Sequence, residues 1–138
     1  MAENEKNKKT RSNIDCKYKN KTFLTSLKYA FSGLKEIFLS ERNIRIQSIF
    51  AIFVIILGII INIEYKEITL LLISIFLVIF SEIVNTMVEK ILDLYTTEYN
   101  EEVKIIKDMA AGGVLFATTF SIIIGSLIFV PKILSIIF

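Results

Sequence analysis

Ile68-Thr69-Leu70-Leu71-Leu72-Ile73-Ser74-Ile75-Phe76-Leu77-Val78-Ile79-Phe80 runs directly into Ser81-Glu82-Ile83-Val84-Asn85-Thr86-Met87-Val88-Glu89-Lys90-Ile91-Leu92-Asp93. The first half is apolar enough to lie in a bilayer. The second half keeps the apolar background but adds Glu82, Asn85, Glu89 and Asp93. Steps of three, four and four residues place all four on one stripe of a helix. A carboxylate at membrane depth is costly, so it faces a bundle interior or a polar site rather than lipid. The stripe therefore points to metal binding, proton handling or acid–base chemistry at the end of a membrane helix.

The rest of the chain fits a membrane setting. Of 138 residues, 54% are hydrophobic and 11 are Phe, more apolar surface than a soluble domain of this size can cover. Two further runs are long enough to cross a bilayer, giving spans at about 46–63, 68–88 and 109–130, with Pro131 expected to stop the third. The abundant β-branched residues do not argue for strands, because an isolated strand leaves its backbone unpaired in lipid. Before the spans, 22–39 reads as an amphipathic surface helix carrying Phe23, Leu27, Ala30, Phe31, Leu34 and Phe38 on one side. Ser40 or Asn43 is the expected cap of the next helix. The fold class is thus all-α: one surface helix plus three membrane helices over 22–138.

Residues 1–21 are polar and lysine-rich, and they read as a disordered basic leader. They lack a signal-peptide core, and no nucleic-acid-binding module follows them. The single cysteine, Cys16, excludes an internal disulfide and a multi-cysteine metal cluster, and the absence of His excludes a histidine base or ligand. Of the 16 Lys and Arg, all but Lys66 and Lys132 lie in the leader, the surface helix, the second loop or the helix ends beside them. The positive-inside rule then places the N-terminus and the 93–108 loop in the cytoplasm and the C-terminus outside. Glu41, the acidic stripe and Lys107-Asp108 all fall at cytoplasmic helix ends. Carboxylates and an amide suit Mg²⁺, and Asp108 fits a helix start. The absence of a P-loop and of GxGxxG excludes the P-loop and protein-kinase folds. Taken singly, Glu89, Asp93, Glu101 and Glu102 also read as ordinary interfacial charges, and the stripe as a polar packing seam. Ala110-Ala111-Gly112-Gly113 reads as close helix packing at least as well as ligand contact.

Three separated blocks then carry a resemblance: Glu41-Arg42-Asn43, Glu82-Ile83-Val84-Asn85-Thr86-Met87-Val88-Glu89 with Asp93, and Lys107-Asp108-Met109-Ala110-Ala111-Gly112. From about Phe23 to Pro131 the chain resembles the small prokaryotic membrane diacylglycerol kinases, particularly the Gram-positive undecaprenol kinases. The resemblance implies ATP-dependent phosphorylation of a membrane lipid alcohol, most specifically undecaprenol, with diacylglycerol as the alternative acceptor. It implies a homotrimer in the bacterial cytoplasmic membrane, with active sites between subunits. It assigns Glu82 as catalytic base, and Glu41 and Glu89 as ligands of the Mg²⁺ held with the nucleotide. Asn85, Lys107 and Asp108 join Glu41 and Glu89 in nucleotide contact, while Arg45, Asp93 and Asn100 support the site. Gln47 and Asn100 stand where Gram-positive relatives often carry His, and Gly113 where alanine is more usual. A non-enzymatic membrane assembly or ion-handling protein is the competing class, since the same charged seam would serve either.

Overall fold

The computed structural model describes residues 23–138, so the leader, Cys16 and Thr22 lie outside the described residues. All its elements are helices: α1 (Phe23–Ser40), α2 (Arg42–Ile60), α3 (Tyr65–Tyr95) and α4 (Glu101–Ile137). The last three are long and apolar enough to cross a membrane. Helix α1 forms the amphipathic element expected from its sequence and runs unbroken through Gly33. Its residues up to Glu36 constitute one compact unit, and Ile37–Phe138 constitute the other.

Within the second unit α3 is central. It packs extensively on α4 and more sparingly on α2. Its buried positions are Leu71, Ser74, Glu82, Asn85 and Thr86, a single face at three- and four-residue spacing. The apolar core lies toward the far end of that face, where Ile63, Leu71 and Ile128 meet Val54, Ile68, Ile75 and Ile124. Most other apolar side chains of the spans are exposed, as lipid-facing surfaces require.

The link between α2 and α3 explains how the two helices turn so tightly. Asn62 adopts a left-handed conformation at φ 53°, which Asn tolerates better than a branched residue. Its N–H donates to Ile59 O at 3.2 Å, and the Ile63 N–H donates to Gly58 O at 3.1 Å. This Schellman pairing satisfies the helix's last carbonyls and folds Ile63 back over α2. Gly58 makes room: a Cβ there would lie 2.7 Å from Ile63 Cδ1. Glu67 then accepts from the Glu64 N–H at 2.6 Å to start α3. At this same end Lys132 of α4 reaches Glu67 at 3.5 Å, tying all three spans together.

Four expectations about element ends are corrected. The cap of α2 is Glu41, not Ser40 or Asn43, and its side chain makes no capping bond. The second loop is not 93–108; it is only the stretch between Tyr95 and Glu101. Hydropathy marks where hydrocarbon ends, whereas a helix continues wherever its backbone bonds are favourable, so Glu101–Asp108 is helical outside the apolar zone. Asp108 accordingly lies two turns inside α4 rather than at its start. Pro131 does not stop α4, which continues to Ile137. A proline there removes one backbone bond; ending the helix among apolar residues would leave several groups unpaired.

Candidate active site

The three helix ends opposite the Asn62 turn converge, and each joins its neighbour through side chains. From α2, Gln47 Nε2 donates to Glu82 Oε2 of α3 at 3.4 Å. At the α1–α2 junction, Glu41 Oε1 lies 3.8 Å from Lys90 Nζ and accepts from Ser40 Oγ at 3.2 Å. Lys90 also donates to Ser40 Oγ at 3.2 Å. Between α3 and α4, Lys107 Nζ donates to Asp93 Oδ1 at 2.6 Å. The acidic stripe thus faces both neighbouring spans.

Depth along α3 separates the roles. Helical rise is 1.5 Å per residue, so from Ile68, where the apolar run begins, Glu82 lies roughly 21 Å along α3 and Glu89 roughly 32 Å. A hydrocarbon core is about 30 Å thick, close to the second of these lengths. Glu82 thus falls within the apolar length of α3 and Glu89 at its end, and Glu82 is 4% exposed. Asn85 and Thr86, one turn on, are buried too. Asn85 Nδ2 donates to Glu89 Oε1 at 3.0 Å, linking the boundary residue to the next turn outward. Asp93 is largely exposed, and its pair with Lys107 lies in water, where such a pair contributes little to stability.

Two oxygens stand out. Gln47 Oε1 and Asn85 Oδ1 are buried and have no hydrogen-bond partner among the described residues. Leaving a buried acceptor unpaired costs about 1–3 kcal/mol, so such groups mark places where a donor or cation belongs. Among the described residues no three acidic or sulfur side chains cluster as a self-sufficient metal site. Mg²⁺ in a nucleotide complex takes one or two carboxylates and fills its remaining positions with phosphate oxygens and water. The Asn85 amide oxygen and the Glu89 carboxylate are hard oxygen donors of the right kind.

The structure accounts for the remaining residues singled out by the sequence. Arg45 Nη1 donates to Leu39 O at 3.2 Å across the α1–α2 break. Asp108 is exposed. Asn100 caps α4, its Oδ1 accepting from the N–H groups of Glu102 at 2.9 Å and Val103 at 3.2 Å. Asn followed by two glutamates is a recognisable helix start, yet it sits outside the apolar run that marks the span. Asn100→Ala should therefore lower stability by about 1 kcal/mol, seen as a reduced thermal midpoint. Gln47 is the partner of Glu82 that sequence reasoning left unassigned; the two are 35 positions apart and only the packing of α2 on α3 joins them.

Three apolar helices whose gathered ends carry carboxylates and amides define a multi-pass membrane protein with a polar site at one end of its spans. Residues 28–129 match the prokaryotic diacylglycerol kinase family. The chain belongs to that family, and so to the membrane lipid kinases. It is 34% identical to a diacylglycerol kinase of Synechocystis over 113 residues, covering 81% of this chain and 65% of that protein. It is 34% identical to an undecaprenol kinase of Bacillus subtilis over 110 residues, covering 80% of this chain and 89% of the relative. A diacylglycerol kinase of Helicobacter pylori is 32% identical over 100 residues, 72% of this chain and 78% of that protein.

Proposed function

We propose that this chain transfers the γ-phosphate of ATP to the primary hydroxyl of a membrane lipid alcohol, with undecaprenol as the acceptor and Glu82 as general base. The observation that carries this reading is the position of Glu82: buried, toward the polar end of a helix long and apolar enough to cross a membrane, and on the face of α3 turned toward α2. A lipid hydroxyl comes to rest at that depth. Beside it, an apolar cavity of about 470 Å³ lies between α2, α3 and α4, with Gln47, Phe50, Leu71, Ile75 and Ile122 in its lining. That surface suits the first isoprene units of an acceptor.

Glu82 accepts the hydroxyl proton as the alcohol oxygen attacks the γ-phosphorus. The bond from the γ-phosphorus to the bridging oxygen breaks, and its electron pair leaves with ADP. Glu41, Glu89 and the orphaned Asn85 oxygen would hold Mg²⁺, which supplies charge neutralisation at the phosphate oxygens. Lys107 turns from Asp93 to the nucleotide, with Asp108 beside it; Arg45, Asp93 and the Asn100 cap keep the helix ends in register. Most of the acceleration comes from positioning and electrostatics, as in phosphoryl transfer generally.

The orientation follows the basic residues, with this site on the cytoplasmic side of the cell membrane. A protomer covers only part of each span, so the family's trimeric assembly is part of the reading, with a neighbour closing the nucleotide side. Undecaprenol is taken as the acceptor because the motif blocks, Glu41-Arg42-Asn43 among them, resemble the Gram-positive branch; relatives named for either acceptor are equally similar at 34% identity. The test is a radiolabel assay with both lipids at equal mole fraction in one bilayer. We expect label in undecaprenyl phosphate, produced by a species of trimer mass, with a higher kcat/KM than for diacylglycerol. No label in any lipid alcohol would reject the kinase reading; a preference for diacylglycerol would reject only the acceptor.

A further inference from the structure

We infer that Gln47 is the positioning residue for the Glu82 carboxylate, an inference that rests on the lipid-kinase reading. Ile44, Gln47, Ala51, Val54 and Gly58 recur at three- and four-residue spacing along α2. Ile44 and Gly58 are buried and the others half-buried, so this is the helix's packed face. Gln47 is its one strongly polar member. Packing alone calls for an aliphatic residue there, as at the other positions.

The amide's hydrogen bonding shows what its polarity serves. Nε2 donates to Glu82 Oε2, while Oε1 is buried and unpaired among the described residues. Turning the amide over would set its carbonyl oxygen against a carboxylate, so the donor end is held toward Glu82. Among the described residues the only favourable polar contact of this side chain is therefore with Glu82, and it is kept at the expense of an orphaned oxygen. For structure alone the arrangement is unfavourable. It becomes reasonable if orienting Glu82 is the gain.

From the side of Glu82 the same contact is singular. No other hydrogen bond reaches this carboxylate among the described residues. The last torsion of a glutamate is broad and poorly set by its own rotamer preferences. One donor at Oε2 fixes the plane of the group and leaves Oε1 open to the incoming hydroxyl. The 3.4 Å separation is long for a hydrogen bond, as is common for catalytic contacts that tighten when substrate arrives. A base free to rotate would spend much of its time out of line with the hydroxyl proton, and misplacement by an ångström is enough to cost heavily in turnover. Gln47 thus acts on the rate through Glu82 and has no direct contact with the nucleotide in this reading.

The experiment compares wild type with Gln47→Leu, Gln47→Met and Gln47→His, each purified in lipid nanodiscs and checked for assembly mass and thermal midpoint. Leu and Met keep the volume and remove the donor; His keeps an N–H at similar reach. We expect Gln47→Leu and Gln47→Met to lose at least about tenfold in kcat, with KM for Mg·ATP within about twofold of wild type. Gln47→His should recover kcat to within about threefold of wild type. Wild-type kcat in folded Gln47→Leu or Gln47→Met overturns the inference. So does equal impairment of the His and Leu variants, or a loss carried mainly by KM for Mg·ATP. If neither Leu nor Met variant assembles, Gln47 is a structural residue and the inference also fails. Failure of wild type itself to phosphorylate a lipid alcohol is a separate result that rejects the underlying kinase reading.

Discussion

Glu82→Gln should lower kcat by about 10²–10⁴-fold while leaving the protein folded and KM for Mg·ATP near its wild-type value. The substitution is close to isosteric, and it removes only the capacity to take a proton. It also relieves the burial of an acidic group on an apolar helix, so the thermal midpoint should hold or rise. A loss of activity accompanied by gain of stability separates chemistry from folding. Steady-state kinetics over a range of ATP and lipid fractions, with thermal unfolding on the same sample, checks both halves. A drop below tenfold, or a matching loss in Mg·ATP affinity, would remove Glu82 from its role as base. The competing membrane-assembly class predicts no nucleotide dependence at all, so Mg²⁺-dependent protection by a non-hydrolysable ATP analogue distinguishes it in the same preparation.

Why Glu82 can be picked out from sequence, and Gln47 cannot, has a physical answer. Local periodicity places Glu82, Asn85, Glu89 and Asp93 on one stripe, and the cost of burying acids says that the stripe must turn inward where the chain is most apolar. Glu82 and Asn85 are indeed buried, whereas Asp93 is largely exposed beyond the boundary. The three-span architecture follows from hydropathy in the same way. Helix ends do not, because hydropathy reports the solvent rather than the backbone. Glu101–Asp108 is helical in water, and Pro131 is helical in an apolar zone. The pairing of Gln47 with Glu82 depends on the register of two helices joined by the turn at Asn62. Nothing local in either segment encodes that register. It is set jointly by Gly58, the left-handed Asn62 and the fold-back of Ile63.

Glu89→Gln should behave in the opposite way to Glu82→Gln. Glu89 Oε1 accepts from Asn85 Nδ2 at 3.0 Å, and the amide oxygen of a glutamine accepts the same bond. Geometry is therefore retained while a negative charge is lost. In the proposed site that charge faces Mg²⁺, and a cation that strips its water reluctantly depends on carboxylates to be held. KM for Mg·ATP should rise by about 10–100-fold, and raising free Mg²⁺ should recover part of the loss. Turnover at saturation should change far less, because the proton acceptor is intact. Glu41→Gln should show the same signature if both carboxylates hold one ion, and the double variant should lose less than the product of the two single effects. Titrating Mg²⁺ at fixed ATP for the three variants gives the answer. A kcat defect without a shift in Mg²⁺ dependence would place Glu89 beside the reacting hydroxyl instead. Glu89 would then serve as a support for Glu82 through Asn85, and the metal would have to be held by Glu41 together with a neighbouring subunit.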